Sequence, residues 1–148
     1  MGTTFVRLRE HGFWTSDSIL ELWLRLLALH IEEPAEPNSV SETIRNRWLL
    51  ASRGFFMGCV PVGLDEAVSS GEGERIIRAA IHSLLGELEH APPELDSGVL
   101  NLLGFTNGIF TANIKTRRLI EVGRALLDLL DGKITTGPSD PVSMLGCE

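Results

Sequence analysis

The sequence predicts a mainly α-helical protein, an irregular helical bundle of four long helices with one or two short ones. Two observations predict this fold: four segments repeat apolar residues at helical spacing, and residues that begin or end helices bound each segment. The composition agrees, since 148 residues with 43% hydrophobic and 22% charged residues are ordinary for one globular domain. The fold also allows two or three short strands, near Phe5, Phe55 and Ile109.

The first long helix, predicted from Ser16 to Glu32, is the most apolar of the four. Because apolar residues cover nearly all of its sides, we expect it in the core, together with the last long helix. Before it, Phe5 to Glu10 alternates weakly, which is typical of a short strand, and His11 to Trp14 is interpreted as a turn. Three residues are alternative N-caps of the helix: Ser16, Asp17 and Ser18.

The three other long helices are predicted from their apolar faces and boundary residues. Ser39 and Glu42 match a capping box at the start of the second helix, and Gly54 is placed to end it. Gly132 is placed to end the last helix. Gly123 lies inside that helix, where glycine costs about 1 kcal/mol relative to alanine, so we expect another helix to pack closely there. The predicted ranges are Ser39 to Arg53, Glu72 or Gly73 to Glu89, and Ile114 to Leu130.

Shorter features depend on single residues. The stretch from Phe55 to Leu64 carries no charge but contains glycine and proline, so it is either a short strand or a buried connector. Asp65 and Asp96 are each placed to cap a short helix, and either Thr111 or Asn113 is placed to cap the last long helix. The two short helices would span Asp65–Ser69 and Ser97–Leu103.

One domain, residues 1–134, is predicted to hold all the helices, and residues 135–148 are predicted to form a flexible C-terminal tail. Met144 and Leu145 are placed to pin this tail to the domain. The first residues lack the apolar core of a signal peptide, and the stretch from Ile19 to Ile31 is shorter than the roughly 20 apolar residues that cross a bilayer. We therefore expect a cytoplasmic protein.

The charge balance bounds the kind of partner. The chain has 20 acidic and 13 basic residues, a net charge of −7. Such a surface repels phosphate backbones and anionic lipid, which disfavours nucleic-acid and membrane partners, whereas it attracts a basic protein. The two cysteines, Cys59 and Cys147, indicate free thiols in a reducing compartment, with Cys59 buried in its apolar stretch.

No complete catalytic, metal or cofactor motif occurs in the sequence. Glu87 and His90 have the spacing of half a di-metal site in a helical bundle, but no second such pair accompanies them. His30 and Glu32 match half of a zinc-deaminase signature, without its cysteines. We expect His30 and His82 at the edge of the core instead. The sequence therefore predicts no cofactor and favours a protein without catalysis.

Acidic residues are grouped in two helix–helix connections, which we expect to form one edge of the bundle. Carboxylates near a helix C-terminus oppose the helix dipole, so folding stability does not explain them and partner binding is the hypothesis that does. The uncharged stretch that begins at Phe55 is a second candidate contact surface. The candidate partner-binding residues are Glu32, Glu33, Glu36, Glu87, Glu89, Glu94 and Asp96, and the candidate apolar contacts are Phe55, Phe56 and Met57.

Three functions are compatible with these observations. The first is a non-catalytic module that binds a basic protein, as the small acidic immunity proteins of bacteria do; this is an analogy of class, since no motif carries it. The second is a small helical enzyme or ligand-binding bundle with a core pocket near Trp23, Trp48, Phe56, Cys59 and His82. The third is a homo-oligomeric structural subunit, for which the first helix and the stretch from Phe55 to Leu64 would offer more apolar surface than one domain can bury.

Overall fold

A computed structural model describes residues 2–31, 36–56, 58–103, 110–140 and 144–146. It is predominantly helical, at 52% helix, but it is a mixed fold rather than an all-helical bundle, because 13% of it is strand in two small sheets. In chain order the elements are β1 (Thr3–Leu8), β2 (His11–Ser16), α1 (Asp17–Leu29), α2 (Val40–Ala51), α3 (Leu64–Ala67), α4 (Gly71–Glu89), β3 (Glu94–Leu95), α5 (Ser97–Asn101), β4 (Ile114–Lys115) and α6 (Thr116–Leu130).

β1 and β2 form an antiparallel hairpin at the start of the chain, with Leu8 paired to His11. The strand predicted near Phe5 is confirmed, but the prediction of a turn from His11 to Trp14 is wrong. The turn lies at residues 9 and 10, where Arg9 has a left-handed φ of 57°. Residues 11–16 form β2 instead, because Phe13 and Thr15 alternate into the core.

α1 lies at the centre of the molecule and packs against α2, α4, α6 and the hairpin, so its predicted burial is confirmed. Trp23 of α1 is fully buried, and its indole Nε1–H donates to the carbonyl of Leu119 in α6 at 2.7 Å. A Cβ atom on Gly123 would lie 2.5 Å from the Trp23 ring. The close packing predicted at Gly123 is therefore confirmed, with a tryptophan as the neighbour.

Several predicted helix boundaries are confirmed. The Ser39 hydroxyl accepts from the Glu42 backbone N–H at 3.3 Å, and the Asp96 carboxylate accepts from the Val99 N–H at 3.0 Å. Gly54 and Gly132 follow α2 and α6 with left-handed φ values of 85° and 73°.

The last long helix begins two residues later than predicted. Ile114 and Lys115 pair with Leu95 and Glu94 as β4 and β3, so the helix starts at Thr116. The side chain of Asn113 does not cap it, because its carbonyl oxygen accepts from the Ser97 N–H at 3.0 Å.

Asp65 does not cap a helix either. Its carboxylate accepts from the Arg9 backbone N–H at 2.8 Å, which ties the hairpin turn to α3. α3 begins at Leu64, after Gly63, which has a left-handed φ of 69°. A long-range hydrogen bond therefore replaces the predicted local one.

The stretch after α2 contains no strand in its described residues, 55–56 and 58–64, so the strand predicted near Phe55 is wrong. Phe55 is 58% exposed, and Cys59 is exposed as a free thiol. The predicted burial of Cys59 is therefore also wrong. The strand predicted near Ile109 lies outside the described residues.

The described part of the C-terminal tail lies along β2. Gly12 N–H donates to Thr136 O at 2.9 Å, and Leu145 N–H donates to Trp14 O at 2.8 Å. Met144 forms a parallel bridge with Trp14. The domain boundary at residue 134 and the flexibility of the tail stay predictions. None of the described helices combines the length and apolar character that a membrane crossing requires.

Candidate functional site

The end of α1 lies beside the last turns of α4. His30 follows α1 directly; its Nε2 lies 3.2 Å from the Glu87 carboxylate, and its Nδ1 lies 2.8 Å from the Ser83 hydroxyl. Glu36 is exposed in the connection between α1 and α2, and Glu32, Glu33 and Met57 lie outside the described residues. We call the exposed carboxylates of Glu87, Glu89, Glu94 and Asp96, which follow one another along the end of α4 and the start of α5, the acidic end.

Each carboxylate of the acidic end has a neighbour in its own chain. Glu89 lies 3.8 Å from Arg124, and Glu94 lies across the β3–β4 pair from Lys115. Glu87 contacts His30 but is 73% exposed. Exposed pairs of this kind contribute about 0–1 kcal/mol, so they hold the carboxylates only weakly.

Two exposed apolar side chains follow Asp96 in the chain. Val99, whose N–H donates to the Asp96 carboxylate, is 63% exposed, and Leu102, the C-cap of α5, is 84% exposed. The sequence did not single them out, since a helix of five residues is too short to show which side faces the core. The short helix that Asp96 caps therefore offers exposed apolar surface, which carboxylates alone would not provide.

The predicted apolar contacts divide between the surface and the core. Phe55 is exposed, whereas Phe56 is half-buried and packs against the core.

The residues suggested for a core pocket do not converge. The Trp23 and Trp48 side chains are fully buried, and Trp48 Nε1–H donates to Val62 O at 3.2 Å. Cys59 and His82 are exposed, so the prediction that His82 lies at the edge of the core is wrong. These side chains do not form one enclosed site.

The side chains of Glu87 and His90, which have the spacing of half a di-metal site, also do not point to a common site. Glu87 faces His30, whereas Nδ1 of His90 lies 2.9 Å from the Gly86 carbonyl oxygen. Within the described ranges, no three His, Cys, Asp or Glu side chains are arranged to hold a metal ion.

A buried polar network joins the hairpin to the stretch after α2. The Asp17 carboxylate accepts from the Thr4 hydroxyl and from the Gly58 N–H, each at 2.7 Å. The Thr4 hydroxyl oxygen also accepts from the Val60 N–H at 3.0 Å. Asp17 is only 7% exposed, so its negative charge is stabilised by these donors. The network fixes the position of residues 58–60 against β1.

Glu21 lies one turn after Asp17 and is only 9% exposed. Burial, and secondly the negative charge of Asp17, raise the pKa of Glu21 to about 7 from its ordinary 4.5. The neutral acid is therefore the form that the folded protein favours up to neutral pH.

The raised pKa of Glu21 predicts a pH dependence of stability. The folded state binds this proton more tightly than the unfolded state, so the free energy of unfolding should fall as pH rises from 4.5 to about 7 and level off above that. A shift of one pKa unit corresponds to about 1.4 kcal/mol, which sets a ceiling of about 3 kcal/mol. Urea unfolding across this interval measures the slope, and Glu21→Gln should abolish it. An equal slope in both proteins would assign the effect to other groups.

Comparisons of the chain with protein-family models, with curated proteins and with solved structures found no match in any of the three.

Proposed function

We propose that the protein is a non-catalytic binding module whose acidic end holds a basic protein partner. The observation that carries the proposal is the exposed apolar pair, Val99 within the short helix that Asp96 caps and Leu102 at its C-cap. Protein interfaces combine an apolar centre with a polar rim, and this surface has both parts. A cytoplasmic inhibitor or immunity-type protein that neutralises a basic partner is the form of this proposal that the net charge of −7 supports.

Folding stability does not account for the placement of Glu87 and Glu89. Glu87 and Glu89 lie in the last turn of α4, where the negative end of the helix dipole opposes them. The Glu89–Arg124 contact is exposed on both sides and contributes little, and the Glu87 carboxylate that contacts His30 is itself 73% exposed. Complementary charge on a partner would instead accelerate association and fix the orientation of the complex.

The test compares two double variants that change the net charge equally, one at the acidic end and one at other places on the surface. Glu87→Lys with Glu94→Lys alters the acidic end, and Glu10→Lys with Glu72→Lys makes the same change of net charge at the hairpin turn and at the start of α4. The partner is first captured from the producing cells with the unmodified protein and purified. Surface plasmon resonance at low salt should then show association about tenfold slower for the first variant and nearly unchanged for the control.

The salt dependence of the association rate is the second readout. The first variant should lose most of the decrease that added salt causes in the unmodified protein, because screening acts on the charges it lacks. Equal rates for both double variants would show that only net charge matters, and the acidic end would then have no specific role.

A further inference from the structure

The outer edge of β1 has unpaired backbone groups. Trp14 O and Gly12 N face away from β1, since they bond Leu145 and Thr136 of the tail. In an antiparallel pair, residues directly opposite face the same way, so the N–H and C=O of Phe5 and Arg7 face away from β2. No residue in the described part of the chain bonds these four groups.

The opposite edge of the same hairpin, formed by β2, already pairs with another backbone segment. The chain's own tail lies along β2, where Leu145 and Thr136 make backbone hydrogen bonds and Met144 pairs in parallel with Trp14. The hairpin is thus extended by an added segment on one side and left open on the other. Open edges of this kind bind extended peptides by continuing the sheet.

Residues 58–66 form the far wall of a groove beside this edge. They are tied down at both ends, by Gly58 N–H donating to the Asp17 carboxylate and by Arg9 N–H donating to Asp65. Val60 N–H also donates to the Thr4 hydroxyl of β1, and a groove of about 400 Å³ lies between residues 58–66 and the strand. The volume is within the range of sites that bind small ligands and short peptide segments. We call this space the β1 groove.

The floor of the β1 groove is aromatic. The rings of Phe5 and Trp14 project from the solvent-facing side of the hairpin with their centroids 5.4 Å apart. The Trp14 indole is held in place because its Nε1–H donates to the Pro138 carbonyl at 3.0 Å. A branched apolar side chain would pack on this pair.

The charges of the groove favour a basic segment. The carboxylates of Asp65 and Glu66 line one end, and Glu66 is 68% exposed with its Arg47 partner at 3.6 Å. The Arg7 guanidinium also lines the groove and donates to the Arg9 carbonyl oxygen, with bonds of 3.1 and 2.9 Å. Because two of the charged lining side chains are acidic and one is basic, the lining has a net negative charge, in agreement with the net charge of the chain.

We propose that the β1 groove binds an extended segment of another protein, about three residues long, with an apolar residue next to a basic one. The segment pairs with the outward backbone groups of Phe5 and Arg7, places its apolar side chain on Phe5 and Trp14, and directs its basic side chain to Asp65 and Glu66. This site is separate from the acidic end and does not depend on it.

The test uses a capped five-residue peptide with a central valine between two lysines, titrated into ¹⁵N-labelled protein. The amide signals of Phe5 and Arg7 should shift on binding. A peptide with glutamates in place of the lysines should bind about tenfold more weakly, since like charges meet at Asp65 and Glu66. A peptide N-methylated at the valine should also lose about tenfold, because it cannot donate to the edge.

Two variants at position 7 separate backbone pairing from side-chain contact. Arg7→Pro removes the outward N–H without removing a bond to β2, a position at which edge strands tolerate proline. Arg7→Ala keeps the N–H. The alanine variant should bind the lysine peptide as the unmodified protein does, measured at the Phe5 amide, and the proline variant about tenfold more weakly.

Other outcomes would overturn the proposal. Equal binding by the two Arg7 variants, or equal binding of the N-methylated and unmodified peptides, would mean that no strand pairs with β1. Concentration-dependent shifts of Phe5 and Arg7 without peptide would mean that a second copy of the chain occupies the groove. The variant with Glu87→Lys and Glu94→Lys should bind the peptide normally, so failure of either proposed site is seen independently of the other.

Discussion

Replacing Asp17 by alanine is expected to lower the free energy of unfolding by about 3–5 kcal/mol, because two hydrogen bonds to a buried charge are lost and one of the donors, the Thr4 hydroxyl, stays buried. The Thr4 hydroxyl and the Gly58 N–H both donate to this carboxylate. Urea unfolding measures the loss. Asp65→Ala is the control, since its carboxylate accepts one exposed hydrogen bond from Arg9 N–H and should cost about 1 kcal/mol.

The same variant should alter the position of the stretch after α2. In Asp17→Ala the amide signals of Gly58 and Val60 should shift and exchange faster with solvent, because the network that ties them to β1 has lost its acceptor. A loss below about 1 kcal/mol, with unchanged Gly58 and Val60 signals, would show that the network does not stabilise the fold.

Replacing Trp23 by alanine is expected to cost about 3–5 kcal/mol, the usual range for a large buried aromatic side chain. Trp23 is fully buried between α1 and α6, and its indole is the donor to the Leu119 carbonyl. Thermal and urea unfolding give the value. Trp14→Ala, which removes a half-buried tryptophan of the hairpin surface, should cost clearly less.

A double-mutant cycle between Gly123 and Trp23 tests whether the two residues pack against each other. Gly123→Ala alone should cost about 1–3 kcal/mol, because its Cβ would lie 2.5 Å from the Trp23 ring and 2.7 Å from Leu85. With Trp23 already replaced by alanine, the same change should cost much less, since the ring is gone and alanine favours helix. Gly86→Ala, which has open space around its Cβ, should stabilise α4 by up to about 1 kcal/mol. Additive values in the cycle would contradict this packing.

The helices were predictable because their signals are local. Ser39 and Glu42 lie within one turn of each other, and Gly54 lies three residues after Ala51, where the helix ends. Close packing at Gly123 was predictable, because a close neighbour explains a glycine inside a helix. The identity of that neighbour was not, because Trp23 lies about a hundred residues earlier in the chain.

The features that sequence reasoning missed depend on distant partners. β2 resembled a turn because of Gly12, and its strand character appears only once Phe13 and Thr15 are seen to alternate into the core. Asp17 looked like a possible cap, but its carboxylate bonds a backbone group 41 positions away. The open edge of β1 was also not predictable from the sequence, because whether a strand edge is unpaired depends on which other parts of the chain pack beside it.

The contact between the tail and β2 has a consequence for biosynthesis. Gly12 and Thr136, which complete one edge of the hairpin, are 124 positions apart. At about 5–20 residues per second, a ribosome needs roughly 6–25 s to make the intervening chain. During that time the nascent hairpin has two open edges instead of one, and either edge can pair with a strand of another chain.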